Sequence, residues 1–340
     1  MTIRCGVGLI TCQRAPGETR SNVELYADAL AFAEEAERLG FDSVWVSEHH
    51  FVDDGYLPSL LPMCAAIAAR TARVEIGTAL LLAPLYEPLR LAEDAAVVDL
   101  ISGGRLILGF GLGWREEEFD ALSIPLRDRV RRLEDAIAVC RTAWAGERVG
   151  GAWPDVVVTP LPARRGGPPV WLGGLSEPAA RRAGRIADGF MATEVTPASL
   201  AEHVGWVGEG AGQAGRYRTP PPISLHVPTY VHDGDPDAGW AEVLPAHRYV
   251  GWKYEDMEGA RSRAAGSPAP PPLATEEAAA SREGIVFGDA GEVAATIRSF
   301  ADAAGGDLHF IARLYWPGLE PDRQTLLLQR FSSDVLPLLA

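Results

Sequence analysis

Residues 40–51 carry the pattern that decides the fold: Gly40-Phe41-Asp42-Ser43-Val44-Trp45-Val46-Ser47-Glu48-His49-His50-Phe51. A glycine ends a helix, a short apolar strand follows over Asp42–Val46, and a polar loop with two histidines comes next. The helix before Gly40 starts at a capping box, Ser21-Asn22-Val23-Glu24. Four apolar residues at helical spacing predict its face toward the sheet: Val23, Tyr26, Leu30 and Ala33.

The alternation of short apolar runs and helical patterns continues along most of the chain. Eight runs are predicted strands: Ile3–Ile10, Asp42–Val46, Val74–Leu80, Arg105–Phe110, Val170–Gly174, Phe190–Thr193, Ile223–Val231 and Leu308–Leu314. Later helices are predicted to start at Glu87-Pro88, at Thr196-Pro197, after Gly288-Asp289 and after Pro321. Eight strands with helices between them predict a closed (β/α)8 barrel, and 340 residues suit that fold with insertions.

Two stretches interrupt this rhythm within one predicted domain, 1–340. The first, 146–169, is rich in Gly and Pro, and the second covers about 232–284 with an Ala/Pro-rich centre at 264–274. The second insertion is either a loose linker or a lid over the barrel. Four aromatic residues favour a lid, since they are costly to leave in water: Trp240, Tyr249, Trp252 and Tyr254.

Composition excludes several classes of function. The net charge of −15 opposes binding to nucleic acid, which requires clustered Lys and Arg. The four cysteines form no C-x-x-C pair, so neither a zinc knuckle nor a disulfide framework is expected. No secretory signal or membrane span is evident. We therefore expect a cytoplasmic protein without a nucleic-acid or membrane partner.

The loop Glu48-His49-His50 follows a predicted strand, and barrel enzymes build their active sites at such strand ends. An imidazole there is suited to proton transfer near neutral pH, although a purely structural histidine pair stays open as an alternative. Adjacent histidines point apart, whereas two metal ligands on a strand need alternate positions. No catalytic metal is expected.

Two glycine-containing turns could face a ligand. Gly109-x-Gly111-x-Gly113 lacks the dinucleotide spacing, and the glutamates at 116–118 would repel a diphosphate. Its glycines are interpreted as letting a flat ligand approach the backbone. The second turn, Gly173-Gly174-Leu175-Ser176, joins a strand to a helix whose N-terminal N–H groups and Ser176 hydroxyl could hold a phosphate. A plain helix cap without a ligand is the alternative.

Taken in order, several segments resemble the bacterial-luciferase-like flavin-dependent oxidoreductases. They are Gly40–Trp45 with Glu48–Phe51, Gly77-Thr78-Ala79, Glu93-Asp94 with Asp99-x-x-Ser102-Gly103-Gly104-Arg105, Gly109-x-Gly111 and Gly173-Gly174-x-Ser176. The resemblance covers residues 3 to about 190 and resumes at 288–314. One departure is Leu112, where some relatives have a phosphate-binding arginine. Arg129 could substitute, since a guanidinium pairs with phosphate oxygens.

This resemblance implies a reduced flavin in the barrel mouth. His49 matches the histidine beside the reactive ring, and Ala79-Leu80 matches a non-prolyl cis peptide on which the flavin ring rests in many relatives. The remaining implied cofactor contacts are Glu48, Gly111, Gly173, Gly174, Leu175 and Ser176, together with Arg129.

The resemblance further implies an FMN-dependent monooxygenase that uses reduced FMN and O2 on a small, mostly apolar organic substrate. No NAD(P)H fingerprint is recognisable, so a separate flavin reductase is expected to supply the reduced FMN. An F420-dependent oxidoreductase and a non-catalytic flavin-binding barrel are the alternatives. Relatives commonly pair through helices two and three, and Leu57–Ala69 is apolar nearly all round. We therefore expect a homodimer in which Leu60 and Met63 are not exposed to solvent, and packing of the Ala-rich side against neighbouring helices of the same chain is the alternative.

Overall fold

Eight parallel strands close into a barrel that is surrounded by helices. The structure is a computed structural model, which describes residues 1–193, 195–216, 221–259 and 282–340. The strands are β1 (Thr2–Ile10), β2 (Ser43–Val46), β3 (Glu75–Thr78), β4 (Leu106–Phe110), β5 (Val170–Gly173), β6 (Gly189–Thr193), β7 (Ile223–Val231), β8 (Val286–Gly288) and β9 (Asp307–Arg313).

The helices mostly follow the strands in alternation. They are α1 (Asn22–Arg38), α2 (Leu60–Arg70), α3 (Pro88–Ser102), α4 (Glu116–Ala121), α5 (Arg129–Trp144), α6 (Glu177–Ile186), α7 (Pro197–Gln213), α8 (Pro236–Gly259), α9 (Ala290–Ala303), α10 (Pro321–Arg330) and α11 (Leu336–Leu339). Within the described part of the chain, none of these helices has both the length and the hydropathy needed to cross a membrane.

The barrel order is β1-β2-β3-β4-β5-β6-β7-β9, with β9 pairing back to β1. Each predicted strand overlaps one of these eight, so the predicted (β/α)8 barrel is confirmed. The short strand β8 was not predicted. It pairs with the far end of β7, at Thr229–Val231, outside the ring, and three residues are too few for a strand pattern to be recognised.

The start of α1 is as predicted, and its predicted face is confirmed in part: Ala33 is buried, and Tyr26 and Leu30 pack against the core. The Ser21 backbone N–H donates to Glu24 Oε2 at 2.7 Å, which completes the capping box. Val23, however, is 80% exposed, and Tyr26 and Leu30 are only half-buried. The buried face is Leu25, Ala29, Phe32, Ala33 and Ala36. Two stripes fit the helical period, and the one carrying the larger Phe32 faces the core, where its ring meets Tyr315.

The predicted starts of the later helices are confirmed. Helix α3 begins at Pro88, with Glu87 as its N-cap, and ends at Gly103, whose φ of +66° is the left-handed conformation that favours glycine. Thr196 caps α7, and Asp289 caps α9 with a second capping box.

Below the mouth, two tryptophans fill the barrel interior. The Trp45 and Trp171 ring centroids lie 5.7 Å apart, and a Cβ on Gly77 would come within 2.1 Å of Trp45 Cε3. Ser43 Oγ lies 2.7 Å from His309 Nε2 and accepts a hydrogen bond from Trp45 Nε1. Burial lowers the pKa of His309 to about 3, so this ring is neutral at neutral pH. The lower barrel is therefore a packed core.

The two predicted insertions differ in form. Residues 146–169 form a loop that is held against the end of α3, where the Arg164 N–H donates to Asp99 Oδ2 at 2.8 Å. The second contains the 24-residue helix α8. Its predicted Ala/Pro-rich centre, 264–274, lies outside the described residues.

Candidate functional site

The C-terminal ends of the barrel strands surround a mouth, and His49 lies there in the loop after β2. His49 is 6% exposed, and its Nδ1 lies 3.0 Å from Glu118 Oε1. The same oxygen accepts the His50 backbone N–H at 2.8 Å. An ionised carboxylate only accepts hydrogen bonds, so Nδ1 carries a proton. In the neutral ring Nε2 is then the proton acceptor.

Glu118 was not predicted as part of this arrangement. It is fully buried on the short helix α4, and its Oε2 has no hydrogen-bond partner among the described residues. The acidic run 116–118 was interpreted only as repelling a diphosphate. Its position just after β4, at the same barrel end as His49, was the available signal that one of these carboxylates could hold a histidine.

His50 points away from His49, as expected for adjacent residues. His50 Nε2 lies 2.7 Å from Glu48 Oε1, and Tyr86 donates to Glu48 Oε2 at 3.3 Å. Burial alone would lower the pKa of His50, but the hydrogen bond and charge of Glu48 outweigh burial and raise that pKa. Both carboxylate oxygens of Glu48 thus have partners within the chain. Its role as a cofactor contact stays a prediction.

Three aromatic rings surround His49 in edge-on contact. The distance from the His49 ring centroid is 4.9 Å to the Tyr56 ring centroid, 5.7 Å to that of Trp114 and 5.5 Å to that of Tyr254. The Tyr56 hydroxyl donates to Ser47 Oγ at 2.9 Å and lies 3.3 Å from the Tyr254 hydroxyl. These rings make the environment of the imidazole largely apolar.

Helix α8 supplies Tyr254 and is fastened to the loop after β2. The Tyr249 hydroxyl donates to Asp54 Oδ2 at 2.5 Å. Lys253 is the lone lysine of the chain. It pairs with Asp53 in the loop after β2 and with Asp256 on its own helix. The insertion helix therefore reaches the mouth, although the function of 232–284 as a lid stays a prediction. Trp240 instead packs in a separate cluster with Tyr230 and Trp316.

The Ala79–Leu80 peptide is cis, as the resemblance implied. The half-exposed Leu80 side chain extends across two glycines of neighbouring strands. A Cβ on Gly111 would lie 3.0 Å from Leu80 Cβ, and one on Gly173 would lie 2.4 Å from Leu80 Cδ1. The glycines at 109–113 were interpreted as letting a flat ligand approach the backbone. That interpretation was incomplete, because the Leu80 side chain fills the space that a side chain at Gly111 would occupy. We call Leu80, Gly111 and Gly173 the Leu80 shelf.

The turn after β5 leads directly into α6. Ser176 is the N-cap, and its side chain makes no capping hydrogen bond, while Leu175 is 56% exposed. Gly174 needs the absence of a side chain, because a Cβ would come within 2.4 Å of Ala179. The first N–H groups of a helix have no partner within it, so this turn presents donors to the mouth side. Glu177 is paired with Arg181, which reduces its repulsion of an anion.

Arg129 is the first residue of α5 and is half-buried. Its guanidinium donates to the Leu126 carbonyl at 3.1 Å. Glu134, five residues after Arg129 on α5, pairs with Arg182 on α6. Arg182 is also five residues after Glu177, the first residue of α6. Equal steps along neighbouring helices place Arg129 level with the start of α6. Its contact with a phosphate stays a prediction.

The part of the chain that the structure describes contains no group of three or more His, Cys, Asp or Glu residues arranged to hold a metal ion. Besides Glu118, prediction from sequence missed three mouth residues: Tyr56, Trp114 and Arg313. Tyr56 and Trp114 contact His49, and Arg313 ends β9.

Comparisons with known proteins agree with this geometry. A family model described as luciferase-like monooxygenase matches residues 4–307. The oxygenase component of flavin-dependent trigonelline monooxygenase from Acinetobacter baylyi is 27% identical, over 94% of this chain and 91% of that protein. An F420-dependent glucose-6-phosphate dehydrogenase from Kineococcus radiotolerans is 30% identical over 91% of each chain. The crystal structure of monooxygenase RslO1 from Streptomyces bottropensis superposes with a TM-score of 0.85 at 24% identity, over 99% of this chain and 100% of that one.

Proposed function

The chain belongs to the luciferase-like monooxygenase family, and on that premise we propose that it is a monooxygenase that uses reduced FMN. Its substrate is a small, mostly apolar organic molecule. One atom of O2 enters the substrate, the other leaves as water, and reduced FMN supplies the two electrons. The observation that carries the proposal is the Leu80 shelf, in which Leu80 follows β3, at the same barrel mouth as the buried His49–Glu118 pair, whose members follow the adjacent strands β2 and β4.

The residues present fit such a cofactor. The Leu80 shelf is apolar and has glycines where side chains would otherwise stand, which suits a planar ring system. The turn Gly174-Leu175-Ser176 offers backbone donors and an uncommitted hydroxyl to a phosphate at the start of α6. Arg129 lies at the same height and would add a cation.

His49 would hold or move a proton at Nε2. Glu118 fixes the imidazole through Nδ1 and stabilises the ring when it becomes charged. The aromatic rings of Tyr56, Trp114 and Tyr254 exclude water from around it. Helix α8 would complete this enclosure as a lid, since it is tied to the loop after β2 on the His49 side.

The proposal is tested by cofactor binding followed by reoxidation. The chain should bind reduced FMN, and in a stopped-flow experiment the bound flavin should return to the oxidised form more slowly than free FMN. Labelled O2 should then deliver one oxygen atom to the product. Reoxidation kinetics identical with and without the protein would contradict the proposal.

An F420-dependent oxidoreductase is the second candidate, favoured by the 30% identity to the dehydrogenase of Kineococcus radiotolerans. On this alternative His49 would act as the acid or base for hydride transfer to or from an organic substrate. Parallel titrations with FMN, reduced FMN and F420 separate the two functions. Tight binding of F420 alone would replace the first candidate with the second.

We include a separate flavin reductase in the proposal, which the words "oxygenase component" in the name of the Acinetobacter relative support. The chain with NADH and FMN should give no product, and adding an unrelated flavin reductase should restore product formation. Product from the chain and NADH without a reductase would contradict this part. A cytoplasmic location is also proposed, supported by the four free, buried cysteines.

A homodimer is proposed as well, with a corrected interface. The chain already buries Leu60 and Met63 within itself, so these residues are not available to a partner. The exposed apolar face instead belongs to α3, where Val97, Leu100 and Ile101 are each more than 40% exposed at helical spacing. Sedimentation should give the mass of two chains. Leu100→Glu should give monomers, whereas Leu338→Glu, at an equally exposed position, should not.

A further inference from the structure

Strand β9 places an arginine in the mouth. Side chains alternate between the two faces of a strand, so His309, Ile311 and Arg313 share one face. His309 contacts the Trp45 and Trp171 rings, and Ile311 belongs to the same interior cluster. Arg313 is the last residue of β9 and lies one inward-facing position closer to the mouth than Ile311. Its side chain therefore points into the mouth above the packed interior.

The Arg313 residue is half-buried, yet no acceptor or carboxylate among the described residues lies within bonding distance of its guanidinium. Another half-buried arginine shows the usual arrangement: Arg105 donates to oxygens of Ala68, Thr71, Val74 and Ser102. A cation that is partly removed from water without a partner is unfavourable. Its retention points to a ligand that supplies the missing acceptor.

The groups around Arg313 leave its charge uncompensated. Burial, and then the charge of Arg313, lower the pKa of His226 to about 3 and also lower that of His247 on α8. Burial raises the pKa of Tyr56 well above its usual value, and Arg313 opposes that rise. All three neighbours are consequently neutral at neutral pH. None of them can neutralise the guanidinium.

The position of Arg313 separates it from the proposed flavin site. Around the ring, β9 lies between β1 and β7, whereas Leu80 follows β3, which is three strands away from β9, past β1 and β2. The phosphate turn follows β5, on the far side of β7 and β6. On the adjoining strand β1, Thr11 has a buried hydroxyl without a partner just beyond the strand end. Arg313 thus belongs to the wall across the mouth from the Leu80 shelf, and Thr11 follows the strand next to it.

We propose that Arg313 binds a carboxylate group of the substrate, with Thr11 as a second donor, and thereby selects small organic acids over their neutral analogues. A guanidinium pairs with a carboxylate through two parallel hydrogen bonds, which orients the rest of the molecule. The apolar body of the acid then lies beside the rings around His49. This inference rests on the proposed function, because it assumes that the flavin takes the Leu80 shelf.

The test measures binding to the full chain without any turnover, so it can fail independently of the monooxygenase proposal. Benzoate and phenylacetate are titrated by calorimetry beside their neutral amides, benzamide and phenylacetamide. The acids should bind more tightly than the amides, and Arg313→Met should weaken the acids by about ten- to a hundred-fold. Arg313→Lys should keep part of the preference, and Arg131→Met, at an exposed arginine of α5, should keep all of it.

Two further readouts separate ligand binding from other roles of Arg313. Removing an unpaired, half-buried charge should leave the thermal midpoint of the ligand-free chain unchanged or raise it, whereas a structural arginine would lower it. Affinity for reduced FMN should be the same in wild type and Arg313→Met. Equal binding of acids and amides to wild type, absence of binding by either acid, or a loss confined to FMN would overturn the proposal.

Discussion

The lower barrel interior and the barrel mouth are built from the same strands but differ in the polar groups that they leave without a partner. In the interior, the Ser43 hydroxyl lies within hydrogen-bond distance of both His309 and Trp45, and tryptophan rings occupy the space above glycines. Of these groups, only the imidazole nitrogen His309 Nδ1 is buried without a hydrogen-bond partner among the described residues. In the mouth, a carboxyl oxygen, Glu118 Oε2, is buried without a partner, and the Arg313 guanidinium is unpaired among the described residues. The interior is thus a packed core around a neutral ring, whereas the mouth leaves acidic and basic groups open to a ligand.

The two histidines at the centres of these regions show the same contrast. His309 is held neutral by burial, with its Nε2 beside a serine. His49 has a glutamate on Nδ1 and three aromatic rings around its imidazole. His309 is thus held beside a hydroxyl group within a packed core, whereas His49 is oriented by a carboxyl group at the mouth.

The largest expected effect is in the mouth. His49→Gln should lower turnover about 10²–10⁴-fold, the usual worth of a general acid or base, while FMN binding and the unfolding midpoint are kept. Glu118→Gln should cause a smaller loss, because an amide oxygen can still accept from Nδ1 while the charge that supports the imidazole is removed. Labelled O2 incorporation measures both.

The matched control for this pair is His232→Gln, since the His232 ring contacts Phe287 of β8, the strand that lies outside the barrel ring. That variant should keep full turnover. If His49→Gln retained turnover, or lost activity only because it no longer bound FMN, the mouth would not contain the proposed acid–base group.

The second expectation concerns stability. Trp45→Ala should destabilise the fold by about 3–5 kcal/mol, because it leaves a cavity between the strands that the neighbouring glycines cannot fill. Urea unfolding measures the difference. Trp114→Ala is the comparison in the mouth, where the side chain is 40% exposed, and should cost far less. Equal losses at the two positions would remove the distinction between a packed interior and an open mouth.

The free energy of unfolding should fall in acid, because two buried histidines must take up protons when the chain unfolds. The folded pKa values of His226 and His309, each about 3, lie below the unfolded value, so the unfolded chain binds more protons as pH falls. Stability should therefore be lost from about pH 6.5 downward, by up to about 1.4 kcal/mol per pH unit for each histidine. Urea unfolding at neutral pH and at about pH 5 measures this slope. His309→Gln should reduce the slope; an unchanged slope would contradict the assignment.

The smallest effect should come from the tie between α8 and the loop after β2. Asp53→Asn removes the charge pair with Lys253 at an exposed side chain and leaves the Lys253–Asp256 pair in place, so global stability should fall by only about 0.2–1 kcal/mol. Hydrogen exchange of the C-terminal half of α8 should nevertheless become faster. Arg323→Met breaks the Glu242 pair near the other end of the same helix and should leave exchange near Tyr254 unchanged. Identical exchange in both variants would argue against a lid held by Lys253.

Much of the fold was predictable because its signals are local. The starts of α1, α3, α7 and α9 depend on a capping residue or proline within one turn, and all four are where the residues predicted them. The face of α1 was predicted only in part, because two apolar stripes fit the same period: Tyr26, Leu30 and Ala33 lie in or against the core, whereas Val23 is exposed. Only packing against Tyr315 selects the stripe that contains Phe32.

The site was predictable only in part. The loop that contains His49 and the turn at Ser176 were identified because strand ends and helix starts are visible as patterns. Arg313 was missed for a definite reason: β9 is buried on both faces, so no alternation of polar and apolar residues shows which side chains face inward.

By itself, the sequence determined the elements of this protein: eight barrel strands, the caps of its helices and the polar loop after β2. Each depends on interactions between residues only a few positions apart. The tertiary structure alone decided which distant groups meet. Glu118 is 69 residues from His49, and Tyr254 is 198 residues from Tyr56. Such pairs form only when closure of the barrel brings all strand ends to one rim, because that closure depends on packing of the whole chain.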